Sequence, residues 1–121
     1  MDQKHIVPDE TNEFFTEERC HILEIKNDRE HRAYSLARAR VEPGVTTAWH
    51  RLNGVEECYY ILSGTGRMEI GEDFQSDVKS GDFIRIPPDH AQRISNIGDT
   101  DLVFLCYCSP AFGDECYELL E

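Results

Sequence analysis

The sequence predicts an all-β fold, a small antiparallel β-barrel or jelly roll that encloses one pocket. From residue 20 onward, short runs of β-branched, aromatic and aliphatic residues alternate with turn residues at spacings of about ten. No internal repeat or Gly/Ser-rich linker divides the chain. A sheet of many short strands must hide its edges, and closure into a barrel does so economically in a chain of 121 residues.

The predicted strands follow these runs in order. They cover residues 20–25, 32–41, 46–51, 58–62, 67–70, 74–78, 82–86, 92–96 and 102–108. Between them lie turn sequences such as Pro43-Gly44 and Asn53-Gly54. We expect an irregular acidic N-terminal arm (residues 1–19), the barrel (residues 20–113) and a short C-terminal tail (residues 114–121). Only the tail, over residues 114–120, has the composition of a possible helix.

The composition predicts one core that needs no covalent staples. Hydrophobic residues make up 40% of the chain and charged residues 30%, a balance typical of a globular domain. The five cysteines are odd in number and include no CxxC pair, which argues against a disulfide framework or a zinc ribbon. We therefore expect reduced thiols, with Cys106 and Cys108 on the core or on a sheet face.

The charge of the chain argues against nucleic acid and membrane surfaces as partners. The 24 acidic and 12 basic residues give a formal net charge of −12, which repels phosphate backbones and anionic lipid head groups. No run approaches the ~20 apolar residues of a membrane span, and the start lacks the pattern of a signal peptide. These observations predict a cytoplasmic location.

A histidine and a glutamate stand at informative spacings between two glycines. Gly44 is followed after five residues by His50, and Glu57 is followed after six residues by Gly64. On a strand, positions 48, 50 and 52 face one way, so His50 points into the barrel if Leu52 does. Glu57 can enter from the next strand, after the turn between them.

This run resembles the first motif of the cupin superfamily, in which two histidines and a glutamate lie between two glycines. The second cupin motif matches at three of its five positions, and its offsets fall on Gly81, Pro87, Asp89, Gln92 and Asn96. The resemblance covers residues 32–108. It implies a cupin barrel and a pocket that usually holds a divalent metal between three histidines and one glutamate.

Two of those histidines are replaced in this chain. Leu52 stands at the second position of the first motif, and a leucine cannot bind a metal. Gln92 stands where the second motif has its histidine and could offer an amide oxygen. The resemblance thus leaves His50, Glu57 and Gln92 as the metal ligands. One nitrogen and two oxygens suit manganese or iron(II) better than copper, with nickel and zinc as further alternatives.

Structural roles other than metal binding remain open for these residues. A lone strand histidine such as His50 is often packed or hydrogen-bonded, and Gln92 could simply hydrogen-bond His50 or Glu57 in a pocket without metal. His90 lies too far into its turn to be favoured as a ligand. Glu56 would face outward, since neighbouring strand residues face opposite ways.

Tyr59 and Arg38 are the other pocket candidates. Tyr59 shares a strand face with Glu57 and could offer its hydroxyl to a substrate, although barrel packing is its simpler role. Arg38 and Arg40 share one face of their strand. That face lies either outside, in solvent, or inside, where Arg38 would anchor the carboxylate of a small organic acid.

The resemblance supports two classes of function. The first is a metal-dependent enzyme of isomerase, lyase or dioxygenase type that acts on a small oxygen-rich metabolite. The second is a non-catalytic binding or sensory module for a small molecule, with or without metal. One barrel serves many reactions, so the fold does not choose between them. A homodimer is also expected, with Trp49 as a possible interface anchor.

Overall fold

A computed structural model describes residues 4–121 as short strands with two single-turn 3-10 helices. The helices cover Glu10–Asn12 and Asp114–Cys116. The strands are β1 (Phe14–Phe15), β2 (His21–Lys26), β3 (Ser35–Val41), β4 (His50–Leu52), β5 (Glu56–Ser63), β6 (Thr65–Ile70), β7 (Phe74–Lys79), β8 (Phe83–Ile86), β9 (Gln92–Asn96), β10 (Leu102–Ser109) and β11 (Tyr117–Leu119).

Two antiparallel sheets form the barrel. One has the strand order β1-β2-β3-β10-β5-β8, and the other has the order β11-β4-β9-β6-β7. Several hydrogen-bonded neighbours, such as β3 and β10, are far apart in sequence, as a jelly roll requires. The prediction of a small all-β barrel of the jelly-roll type is therefore confirmed.

Every predicted strand is present, with small differences at the ends. Regular pairing of β3 begins only at Ser35, three residues later than predicted. The predicted strand over residues 46–51 is paired regularly only from His50, because its first part touches β9 through a single bridge between Thr46 and Ser95.

The helix suggested for the tail is wrong. After the turn of Asp114–Cys116, the chain forms β11, which pairs with β4 in the register Tyr117 to Leu52 and Leu119 to His50. A helix of seven residues is marginal in water, whereas pairing with β4 satisfies backbone groups at a sheet edge. In the arm, β1 likewise pairs with β2. The division into arm, barrel and tail stays a prediction.

The hydrophobic core fills one end of the barrel and leaves a pocket at the other. Large buried side chains such as Ile61, Met68, Ile94 and Leu102 pack between the two sheets. The pocket lies toward the end of the barrel where β3 begins, next to the last residues of β10.

In the part of the chain that the structure describes, no helix is long and apolar enough to cross a membrane. The cytoplasmic location and the absence of a nucleic-acid partner stay predictions.

Candidate functional site

The pocket has a volume of about 420 Å³ and a mixed lining. Exposed residues that line it, such as Phe14, Phe15 and Asp114, mark its mouth. Buried residues from β5 and β10, including Glu57 and Phe104, line its interior. A space of this size accommodates a small organic molecule.

His50 lies beside Glu18, a residue of the pocket lining, and its ring is held from two sides. It is 3% exposed, and Ala48 and Leu52 are buried with it, as strand alternation predicted. Its Nδ1 atom donates a hydrogen bond of 2.7 Å to the carbonyl oxygen of Ala48, and its ring stacks on Tyr117 with 5.1 Å between centroids. Because Nδ1 carries the proton in the neutral ring, the free lone pair lies on Nε2.

Gln92 joins Tyr59 to Glu57 through two hydrogen bonds. The Tyr59 hydroxyl donates to Gln92 Oε1 over 2.8 Å, and Gln92 Nε2 donates to Glu57 Oε1 over 2.9 Å. Gln92 is also the register partner of His50 across β4 and β9. All four side chains are buried. Tyr59 thus uses its hydroxyl inside the protein, as well as packing in the barrel.

Glu57 is a buried carboxyl group whose acidity is weakened by its surroundings. Burial raises its pKa to about 7, and the nearby Glu18 carboxylate adds to this rise. His50 and the hydrogen bonds from Gln92 and Cys108 act in the opposite direction. The Cys108 thiol lies 3.6 Å from Glu57 Oε2. Glu57 therefore titrates near neutral pH.

Glu18 is the site residue that sequence reasoning missed. It lies in the acidic arm, where Thr16 Oγ1 accepts from its backbone N–H and its carbonyl accepts from the N–H of Ala48. Its carboxylate lines the pocket, and Oε2 lies 3.7 Å from His50 Nε2. Burial raises the pKa of Glu18. Nothing in the two motifs points to this residue, since the arm precedes both.

Arg38 does not reach the pocket. Its guanidinium forms ion pairs with Glu10 at 2.8 Å and with Glu13 at 3.3 Å, on the outer face of β3. Arg40 shares that face and pairs with Glu13 and Asp101. The inward orientation of Arg38 is therefore wrong, and the outer-face alternative describes both arginines. The residues of β3 that alternate with these arginines and face inward are the small alanines Ala37 and Ala39, which leave room for the cavity.

The remaining candidates also lie outside the site. His90 is exposed in its turn, where Nδ1 donates to the carbonyl of Pro88. Glu56 faces away from the pocket and forms a 2.7 Å contact with Arg85. Leu52, at the position of the missing histidine, packs in a second small cluster of buried apolar residues.

The cysteines of the site are buried thiols and form no disulfide. Cys20, Cys106 and Cys108 line the pocket. Burial raises the pKa of Cys20 to about 12, and burial likewise raises the pKa of Cys106 and Cys108. Since the thiolate is the reactive form, this rise in pKa lowers the reactivity of the three thiols at neutral pH. The reduced state of the thiols stays a prediction.

The donors at the site do not fit the metal that the family motif implies. Among residues 4–121, no group of three or more His, Cys, Asp and Glu side chains is arranged to hold a metal ion. Of the three predicted ligands, Gln92 turns its NH₂ group toward Glu57, so their two oxygens do not converge on one point. A metal between them would require this hydrogen bond to break.

Comparisons with known proteins agree with this architecture. The chain is 42% identical over 87 residues to an uncharacterized protein of Methanocaldococcus jannaschii, covering 72% of this chain and 69% of that protein. It is 35% identical over 89 residues to an oxalate-binding protein of Thermotoga maritima, covering 73% and 71%.

A solved nucleoside dehydratase from Streptomyces superposes with a TM-score of 0.78 at 14% identity, covering 99% of this chain and 92% of that one. At this identity the likeness concerns the fold alone. The family model described as the cupin domain matches residues 37–108, which span both motifs and the strands between them. The chain therefore belongs to the cupin family.

Proposed function

We propose that this cupin binds a small organic molecule inside the barrel directly through its side chains, without a metal ion. The observation that carries the proposal is the hydrogen-bonded chain from Tyr59 through Gln92 to Glu57. These hydrogen bonds occupy the side-chain amide of Gln92, which a metal ion would need as a ligand. The hydrogen-bonded chain lies next to a pocket of about 420 Å³. Buried polar groups that are satisfied by one another form a rigid wall, and such a wall suits recognition of a ligand.

Metal analysis tests this proposal. We expect wild-type protein purified without chelator, and then incubated with manganese, iron(II) and nickel, to retain no stoichiometric metal. His50→Ala and Glu57→Ala should give the same result as wild type. One metal ion per wild-type chain, lost in either variant, would contradict the proposal, because these side chains would then be metal ligands.

A metal-dependent function on a small oxygen-rich metabolite is the second candidate. It is favoured by the name of the 35% identical Thermotoga maritima relative, an oxalate-binding protein. Manganese, iron, nickel or zinc would then have to bind at His50, Glu57 and Gln92, with Gln92 released from Glu57. The same elemental analysis decides between the two candidates.

We further propose that the chain forms a homodimer through the outer face of β5, β8 and β10. Tyr60, Phe83 and Tyr107 are 45%, 64% and 40% exposed on this face, and Tyr60 is the register partner of Phe83. Adjacent exposed aromatic side chains are typical of a protein interface. Trp49 is a weaker anchor than predicted, because it is partly buried and Arg93 lies over its ring at 5.2 Å.

Light scattering tests the dimer. We expect wild-type protein to have twice the 14.0 kDa mass of the chain, and Phe83→Glu to run as a monomer. Leu119→Glu is the matched control, since Leu119 is 53% exposed on β11, at an edge of the other sheet, and should leave the dimer intact. A monomeric wild-type protein at micromolar concentration would rule the dimer out.

A further inference from the structure

A histidine nitrogen and a carboxylate oxygen face each other beside the pocket with no hydrogen bond between them. His50 Nδ1 donates to the carbonyl of Ala48, so Nε2 is the ring nitrogen that faces the site, and in the neutral ring it carries the lone pair. The facing atom is Glu18 Oε2, 3.7 Å away, which is beyond hydrogen-bond distance. Neither Nε2 nor the Glu18 carboxylate has a hydrogen-bond partner within residues 4–121.

The unpartnered nitrogen of His50 is not sealed in the interior. His50 is 3% exposed, yet every fully inaccessible side-chain nitrogen or oxygen in the described part of the chain has a hydrogen-bond partner. Nε2 lacks one and is therefore not fully inaccessible, and it faces Oε2 of Glu18, whose side chain lines the pocket. A ligand that supplies N–H groups can therefore donate to this nitrogen.

The walls of the pocket carry negative charge only. The described residues that line it include no Lys, Arg or His. Its ionisable acids are Glu17, Glu18, Glu24, Glu57 and Asp114. Since like charges in a partly desolvated site repel strongly, a carboxylate ligand is disfavoured and a cationic one is attracted.

The lining also includes six aromatic residues. The face of an aromatic ring attracts a cation within about 6 Å, and more strongly where water is excluded. Tyr117 stacks on His50, so its ring lies beside the pair of acceptors. The aromatic residues of the lining are Phe14, Phe15, Tyr59, Phe104, Phe112 and Tyr117.

We propose that the pocket selects small organic ammonium cations, whose N–H groups donate to Glu18 and to His50 Nε2 while aromatic rings surround the carbon skeleton. This ligand class rests on the proposed function and deepens it. It also separates this chain from its relative named for oxalate, because none of the cationic side chains among residues 4–121 lines the pocket to receive a dianion.

Three probes that differ only in their head group test the ligand class. Benzylamine is a cation at neutral pH, benzyl alcohol is neutral and benzoate is an anion. In isothermal titrations of the full chain at neutral pH, we expect benzylamine to bind at millimolar concentration and benzoate not to bind. Glu18→Gln should weaken benzylamine by ~10-fold or more, as expected for loss of a charge-assisted hydrogen bond.

Two further variants locate the binding. Glu72→Gln removes one carboxylate from the exposed turn between β6 and β7, and we expect it to bind benzylamine as wild type does. Ala37 lines the pocket on β3, so Ala37→Phe should fill the space and abolish benzylamine binding. Benzylamine affinity that is unchanged in Glu18→Gln, or binding that survives in Ala37→Phe, would overturn the proposal.

The remaining outcomes separate the ligand class from the proposed function. Benzoate or benzyl alcohol binding at least as tightly as benzylamine, and lost in Ala37→Phe, would overturn the ligand class while metal-independent binding in the barrel stands. Absence of benzylamine binding at millimolar concentration would also overturn the ligand class. A metal ion retained by wild type and lost in His50→Ala would instead overturn the proposed function.

Discussion

Glu57→Gln is expected to make the protein more stable than wild type above pH 7, by on the order of 3 kcal/mol. The pKa of Glu57 rises from 4.5 to about 7 on folding, because its carboxyl group is buried. A glutamine keeps the shape and can still accept from Gln92 Nε2. It carries no charge that must be buried when the chain folds at high pH.

The sign of the pH dependence follows from proton binding. Below pH 4.5 both the folded and the unfolded chain hold the proton on Glu57, so its contribution to stability is fully present there. Between pH 4.5 and about 7 the unfolded chain releases the proton and the folded chain keeps it, so stability falls as pH rises. Above the folded pKa the loss is complete and constant. The titratable groups that interact with Glu57 include Glu18, His50, Cys108, Tyr59 and Cys106.

Urea unfolding at about pH 5 and about pH 8 measures this effect. The two proteins should be similar at the lower pH, and the advantage of Glu57→Gln should appear at the higher pH. Glu56→Gln is the matched control, because Glu56 loses only an outer ion pair with Arg85 and should change stability by less than ~1 kcal/mol. A Glu57→Gln variant that is less stable than wild type at about pH 8 would contradict the buried-acid interpretation.

Gly64→Ala is expected to destabilise the fold by about 3 kcal/mol or more. Gly64 joins β5 to β6 with a φ of +89°, a conformation that costs an alanine roughly 1–2 kcal/mol. An added Cβ would also lie 2.7 Å from the carbonyl oxygen of Asp101 and 2.8 Å from Cα of Leu102. Both contacts are with backbone, so neither can move aside without shifting the start of β10.

Gly54→Ala separates the two causes. Gly54 has a similar φ of +74°, but nothing lies within 4 Å of the position that its Cβ would take. The free energy of unfolding of the Gly54 variant should therefore fall only by the cost of a positive φ for alanine, roughly 1–2 kcal/mol. Denaturant unfolding of both variants gives the comparison. Equal losses would show that the crowding at Asp101 and Leu102 has no energetic effect.

The requirement for glycine at position 64 is visible in the sequence, but its physical cause is visible only in the structure. Its spacing from Glu57 is visible in the sequence and pointed to the family. The reason that no side chain fits there is the backbone of Asp101 and Leu102, more than thirty residues away. Such a close approach depends on how β10 crosses the hairpin, which no local pattern describes.

In the candidate site, too, the sequence predicts some features and only the structure shows others. Strand alternation was enough to turn His50 and Glu57 inward, because the period of two residues is a local property. It could not orient the amide of Gln92, which is decided by Tyr59 on one side and Glu57 on the other. In the structure Gln92 is a hydrogen-bond partner of Glu57, which was the alternative to its role as a metal ligand. The proposed site is therefore one that binds its ligand without a metal.

The sequence by itself determined the barrel, its strands and the family motifs, because alternation, turn residues and spacing act over short stretches of chain. Only the tertiary structure decided that the tail adds a strand, that Arg38 faces outward and that Glu18 enters the pocket. Each of these depends on a partner distant in sequence: β4 for the tail, Glu10 and Glu13 for Arg38, and His50 for Glu18. The chemistry of the pocket therefore follows from long-range packing, since Glu18, which places a carboxylate beside His50, lies outside both motifs.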